Sequence, residues 1–357
     1  MCTRLSGAVL LVGLAACGAP APQAVSQDVA FLVPLNESRG FITAREVVPR
    51  AFFDRLHPLT ISDEPDDLYS ALSVVGVRLD ACFQEGAPPS ACQAQVRLVL
   101  QPVFDDPAGG VTSRDAAVHV FFAASPEEVV SAAKAFIKLR TERKMMVPDA
   151  LEAAHPGFAD AEWRSKVKAV LLPLMASDRL VRMTSMGVHA SGQAWIFSGI
   201  NIAAGQPTDI QVPTLSVTTE DHVTSTGGST ALELSVDPVS AAEPTLGPVV
   251  ISGGLNQASA DQLAAAASSL ERLENPKVHN PGTVDCATCH VAALSRVALE
   301  KKGLTFASPV RSSAVFEDTR NLRAFGYFFD RPALSPRLLR EVALVRDDFN
   351  SRLEQSP

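Results

Sequence analysis

Positive charge is in short supply along this chain: 31 Lys and Arg stand against 39 Asp and Glu, a formal net charge of −8. A surface of that sign repels phosphate backbones and excludes general nucleic-acid binding. No glycine-rich loop with phosphate-binding spacing occurs, and no G-x-S-x-G elbow, which removes the nucleotide enzymes and hydrolases those motifs mark. Beyond the first 16 residues no apolar run is long enough to cross a bilayer as a helix. No internal repeat is found. Cysteine is sparse, six in 357 residues, and histidine occurs seven times. Neither a methionine nor a histidine follows His290.

What is present is enough apolar material for a substantial core. The hydrophobic content is 46%, which at this length supports one or two domains. The pattern reads as α+β, a mixed or antiparallel sheet with packed helices followed by a small helical segment. Strands are expected at 73–82, 95–104, 117–122, 180–186 and 193–199, with shorter ones at 209–212 and 231–236. Ser125-Pro126-Glu127-Glu128 signals a helix start, with Ser125 as cap, Pro126 at the first helical position and Glu128 closing a capping box. That helix should run to about Thr141. Further helices are expected over 160–175, 260–273, 286–300 and from Ser335-Pro336 to about Leu353, the last with Leu338, Leu339, Val342, Val345 and Phe349 mostly on one face.

The densest chemical signal is Cys286-Ala287-Thr288-Cys289-His290. This C-x-x-C-H string is the attachment sequence for one covalent c-type haem. On the first turn of a helix, positions three apart share a face. Two thiols so placed can reach two vinyl groups on one haem edge, while His290 supplies the proximal iron ligand. Asp285 is placed to cap that turn. Other chemistries use the same residues. Cys286 and Cys289 could form a short disulfide or a thioredoxin-like redox pair, although the approach through Asn275-Pro276 to Asn280-Pro281-Gly282 is a polar loop rather than a strand. Zinc is the third reading, with His279 as an added ligand, although adjacent Cys289 and His290 suit one tetrahedral ion poorly.

The N-terminus bears on the compartment. Leu5 to Ala16 form a short apolar run behind Arg4, too short to span a bilayer and like a signal-peptide core. Its end, Leu14-Ala15-Ala16-Cys17, resembles the bacterial lipobox. The resemblance implies lipidation at Cys17, and Gly18 in place of Asp implies sorting to the outer membrane, facing the periplasm. An ordinary signal peptide cut nearby is the alternative. On this reading 1–16 is the signal peptide, 17–29 a flexible lipidated tether, 30–255 an α+β domain and 256–357 a haem-binding segment. Outside the cytoplasm, Cys82 and Cys92 are expected to join as a disulfide across Gly86-Ala87-Pro88-Pro89, with two free thiols as the alternative.

Around Cys286 to His290 the chain is similar to c-type cytochromes, and it departs from them downstream. In the commonest single-haem members a later methionine is the second axial ligand; here a sixth ligand must come from upstream, or the iron is five-coordinate. His279 is the leading candidate, because its loop is tethered to the motif; Met183, Met186, His189 and His155 follow, and His57, His119 and His222 have little to recommend them. The phrases Asp285-Cys286-Ala287-Thr288-Cys289-His290 and Asn321-Leu322-Arg323-Ala324-Phe325-Gly326-Tyr327 also resemble uncharacterised lipoproteins of myxobacterial type, which implies no known activity. The expected function is periplasmic electron transfer, more a redox carrier than a substrate-turning enzyme. The alternatives are small-ligand binding or sensing at an open iron, and a structural or interaction lipoprotein whose C-x-x-C is a disulfide. From Pro276 onward 12 Lys/Arg face 9 Asp/Glu, a mild excess that could steer an acidic redox partner or offset the haem propionates. Phe306, Phe325, Tyr327, Phe328 and Phe329 are candidates to line an apolar pocket.

Overall fold

The computed structural model describes residues 22–59, 67–80, 93–114, 116–188, 194–213, 215–226, 232–239, 242–251, 253–307 and 321–355. Cys17, Cys82, Cys92 and His189 lie outside them, and so do the proposed leader and the link between the first two long strands.

The architecture is mixed α and antiparallel β. Among the described residues ten strands form one sheet: β1 (Ala30–Leu32), β2 (Leu72–Asp80), β3 (Gln95–Asp105), β4 (Val111–Ser113), β5 (Ala117–Ala123), β6 (Leu180–Val188), β7 (Ala194–Ala203), β8 (Gln206–Asp209), β9 (Thr219–Thr226) and β10 (Leu232–Asp237). They lie in the order β1-β2-β3-β5-β6-β7-β9-β10, with β4 beside β3 and β8 beside β7. Every pairing is antiparallel.

Both faces of the sheet are covered, and β2 is buried along its whole length, as a strand sandwiched between layers must be. One face carries the helices Pro126–Glu142 and Ala161–Leu171. Ser125 starts the first as its sequence requires: the hydroxyl accepts from Glu128 N at 3.2 Å, and the Glu128 carboxylate accepts from Ser125 N at 2.8 Å. Asp160 caps the second through the amides of Glu162 and Trp163. Phe31 of β1 meets Phe136, Phe158 and Trp163 there, with ring centroids 5.8–6.3 Å apart. Each such fully buried aromatic contributes roughly 1.5–3 kcal/mol relative to exposure.

The other face receives the C-terminal third of the chain. The helix Ala260–Leu273 leads through a loop into the helix Cys286–Lys301. A hairpin of β11 (Phe325–Phe328) and β12 (Arg331–Leu334) and the helix Pro336–Gln355 follow. One hydrophobic cluster takes in residues from Val29 to Phe349, so the segments 30–255 and 256–357 share a core.

Two fittings lock β11 to the sheet. Gln101 Nε2 donates to the Tyr327 carbonyl at 3.0 Å while its Oε1 accepts from Tyr327 N at 2.7 Å. Gly326 has φ +154°, and a Cβ there would lie 2.4 Å from Gln101 Oε1, so only glycine fits. The aromatics at 325–329 are thus strand and turn residues, with Phe325 stacked against Gly76 of β2. The short strand expected at 209–212 lies earlier, at Gln206–Asp209. Strands β1, β4, β9, β11 and β12 carry no strand pattern in the sequence.

Candidate functional site

The C-x-x-C-H motif opens a helix. The Asp285 carboxylate accepts from Thr288 N at 2.7 Å, satisfying an amide that the first turn leaves orphaned. Within that turn Ala287 and Thr288 are buried, whereas Cys286, Cys289 and His290 are half-buried. All three line a half-open cleft of about 130 Å³ between the motif helix and the sheet. Both cysteines are free thiols. Burial pushes the Cys286 thiol up to about 12 and raises that of Cys289 as well, so neither is a ready thiolate nucleophile.

His290 is held from behind. Its Nδ1 donates to the Leu322 carbonyl at 2.6 Å. A carbonyl can only accept, so the proton sits on Nδ1 and the lone pair on Nε2. This is the arrangement by which proteins orient and make basic an imidazole that ligates metal. The bond also joins the two phrases singled out in the sequence, Asp285–His290 and Asn321–Tyr327, at one wall of the cleft.

The facing wall is the sheet, and its register sets the chemistry. Arg78, Arg97, Phe121 and Arg182 form one row across β2, β3, β5 and β6, each directly opposite the next. The adjacent row is Gly76, Val99, His119, Thr184 and Gly199. Side chains two apart on a strand share a face, so both rows look toward the motif helix. His119, dismissed on sequence grounds, is thereby brought beside His290: the ring centroids are 5.7 Å apart with planes at 41°. Burial, then the neighbouring His290 and Arg97, pushes the His119 imidazole down to about 3, so it is neutral. Phe197 closes on His290 from β7, with centroids 5.2 Å apart. Leu98, Val99, Phe121, Phe325 and Leu338 make much of the remaining lining apolar.

One edge of the cleft is cationic. Arg78 pairs with Asp80 at 2.6 Å and with Glu341, Arg97 pairs with Asp80 at 2.5 Å, and Arg337 pairs with Glu341 at 2.9 Å. Burial works against the Glu341 charge, yet Arg78, Arg337 and Arg97 hold its carboxyl down at about 2. Three guanidiniums therefore share two carboxylates. Burial brings Arg97 down to about 10, with Arg78 adding repulsion, as expected of the cation in excess. Arg182 donates through Nη2 to the Pro281 carbonyl at 2.8 Å, while its buried Nε has no hydrogen-bond partner among the described residues. The cleft is thus suited to anionic groups. A second cavity of about 170 Å³ adjoins the first and shares Arg182, Val284, Asp285 and Cys286 with it. Glu220 lines it; burial and then the Asp285 charge raise its carboxyl to about 9.

The other expected ligands fall elsewhere. His279 Nε2 donates to Glu243 Oε1 at 2.8 Å and its Nδ1 lies 3.3 Å from Thr283 Oγ1. Both ring nitrogens are engaged, and His279 does not line the cleft. Its loop is tethered to the motif, as expected, but a tether does not set a ring's direction; Glu243, 36 residues upstream, does. A zinc set built with His279 meets the same obstacle. His155 stacks on Trp163 on the opposite face of the sheet, with centroids 4.3 Å apart, and its Nδ1 accepts from Gly157 N. Met183 is fully buried on β6, pointing away from the neighbouring cleft residues Arg182 and Thr184. Met186 is buried and outside the cleft lining. Phe325 is the one member of the expected aromatic group on the cleft wall.

Comparison with known protein families, with curated proteins and with solved structures finds no match for this chain.

Proposed function

We propose that the protein is an exported, lipid-anchored carrier of a single covalent c-type haem that passes electrons in the periplasm. The observation that carries this reading is the cleft itself. Cys286, Cys289 and His290 all face it, and the Leu322 carbonyl holds the His290 tautomer with Nε2 free to ligate. Cys286 and Cys289 are the residues for thioether attachment, and His290 is the residue for the proximal iron position. The cationic row of Arg78, Arg97 and Arg182 supports this reading, because it suits the two carboxylates of such a group. Bound in this cleft, haem supplies reversible one-electron chemistry at its iron. The chain's own part is to attach it, to fix the His290 ring, to balance its acid groups and, through Val99, Phe121, Phe325 and Leu338, to keep water from it. Each cycle takes one electron from a donor protein and gives one to an acceptor. The lipobox-like Leu14–Cys17 string supports export and attachment to the outer membrane.

The test is expression of the full chain together with a haem-attachment system. A denaturing gel stained for haem peroxidase activity is expected to show a band at the mass of the protein. The double variant Cys286→Ala, Cys289→Ala is expected to lose it, and mass spectrometry of the mature wild type is expected to find an acylated Cys17 at its start. A mature wild-type chain without haem overturns the proposal.

A further inference from the structure

We infer that His119 is the second axial ligand, so that the iron is held between two imidazoles; this rests on the haem reading above. The argument is one of placement. Among the described residues that line the cleft, His119 and His290 are the ones carrying an imidazole, and no methionine lines it. Methionine and histidine are the usual side chains for a sixth position in electron carriers.

The spacing agrees. A metal–imidazole bond of about 2 Å on each side, plus about 1 Å from each nitrogen to its ring centre, sets two axial rings about 6 Å apart. The two centroids are 5.7 Å apart. The two rings also come from different layers, His290 from a helix and His119 from the middle of β5. A flat group entering between them would be gripped by sheet and helix together. On β5 the register leaves His119 room. Its immediate neighbours across the row are Val99 and Thr184, both short. The bulky row, Arg97, Phe121 and Arg182, is one step along the strands.

Filling both axial positions from the protein has a functional consequence. Such a site has no vacant coordination position, which separates electron transfer from small-ligand sensing. Its potential should also lie below that of a His/Met site, because thioether ligation raises the potential.

The test is spectroscopic, on the full chain matured with haem attached. The wild type is expected to be low-spin in both oxidation states and not to bind carbon monoxide. His119→Ala is expected to keep the haem band on a denaturing gel but to become high-spin and to bind carbon monoxide. His119→Met is expected to remain low-spin with a raised potential. If His119→Ala fails to accumulate, the wild-type carbon monoxide titration and the His119→Met potential still decide. A wild type that is high-spin or binds carbon monoxide readily overturns the inference and leaves the haem reading standing. A low-spin His119→Ala that ignores carbon monoxide does the same. A wild type with no covalent haem overturns both.

Discussion

At the scale of single residues, the described histidines show how far environment overrides residue type. His290 and His119 face the cleft, His279 is bound to Glu243, and His155 is packed on Trp163. His155 has a thermodynamic signature of its own. Burial pushes its imidazole down to about 4 from the usual 6.5, with the Arg140 charge adding to the shift. Between those values the unfolded chain takes up a proton that the folded chain refuses, so stability falls as pH falls through that window. Above about pH 6.5 the contribution is fully present; below about pH 4 it is gone, with a total swing of roughly 3 kcal/mol. His155→Asn keeps an acceptor for Gly157 N and removes the titration. Urea unfolding should find it less stable than wild type at pH 7 by roughly 1–3 kcal/mol, through lost stacking on Trp163. The gap should narrow at pH 4.5. An equal gap at both values would contradict the assignment.

At the scale of elements, what could be read from sequence was what is local. The helix Pro126–Glu142 announces itself through Ser125, Pro126 and Glu128, and the motif helix through Asp285. A cap and the amides it serves lie within four residues, so no distant partner is needed. Strands β1 and β11 gave no such signal, because each is held by a neighbour remote in sequence, β2 for the first and Gln101 for the second. The hairpin of β11 and β12 is the clearest case, since Gln101 braces Tyr327 across 226 positions. That brace is testable. Gly326→Ala forces a side chain into Gln101 at a backbone angle suited to glycine, and Gln101→Leu strips the partner from the buried Tyr327 N–H, while the Tyr327 carbonyl keeps the Ser113 hydroxyl. Each should cost about 1–3 kcal/mol in thermal or urea unfolding. Because Leu322, which holds His290, lies three residues before Phe325, both variants should also loosen the cleft. Wild-type stability in both variants would remove the hairpin from the account.

At the scale of the whole molecule, the cleft is made by the meeting of two layers that the sequence keeps far apart. Cys286, Cys289 and His290 were legible because one helical turn carries all three. His119 was not, because its place depends on strand register: a shift of one residue would turn it to the opposite face. Arg78, Arg97 and Arg182 were equally hidden, and they become one cationic row only when β2, β3, β5 and β6 are aligned. The favoured His279 lies off the cleft for the complementary reason, that nearness in sequence fixes distance without fixing direction. A row of guanidiniums, an imidazole held through one nitrogen and two thiols on the same wall make this cleft the centre of the account. The measurement that tests it most directly is a pyridine haemochrome spectrum of the full chain matured with haem-attachment machinery and stripped of loose haem by acid and organic solvent. The account predicts that haem stays with the polypeptide and gives the spectrum of a haem with both vinyl groups converted to thioethers. Haem that is wholly extracted, or never present, would contradict it.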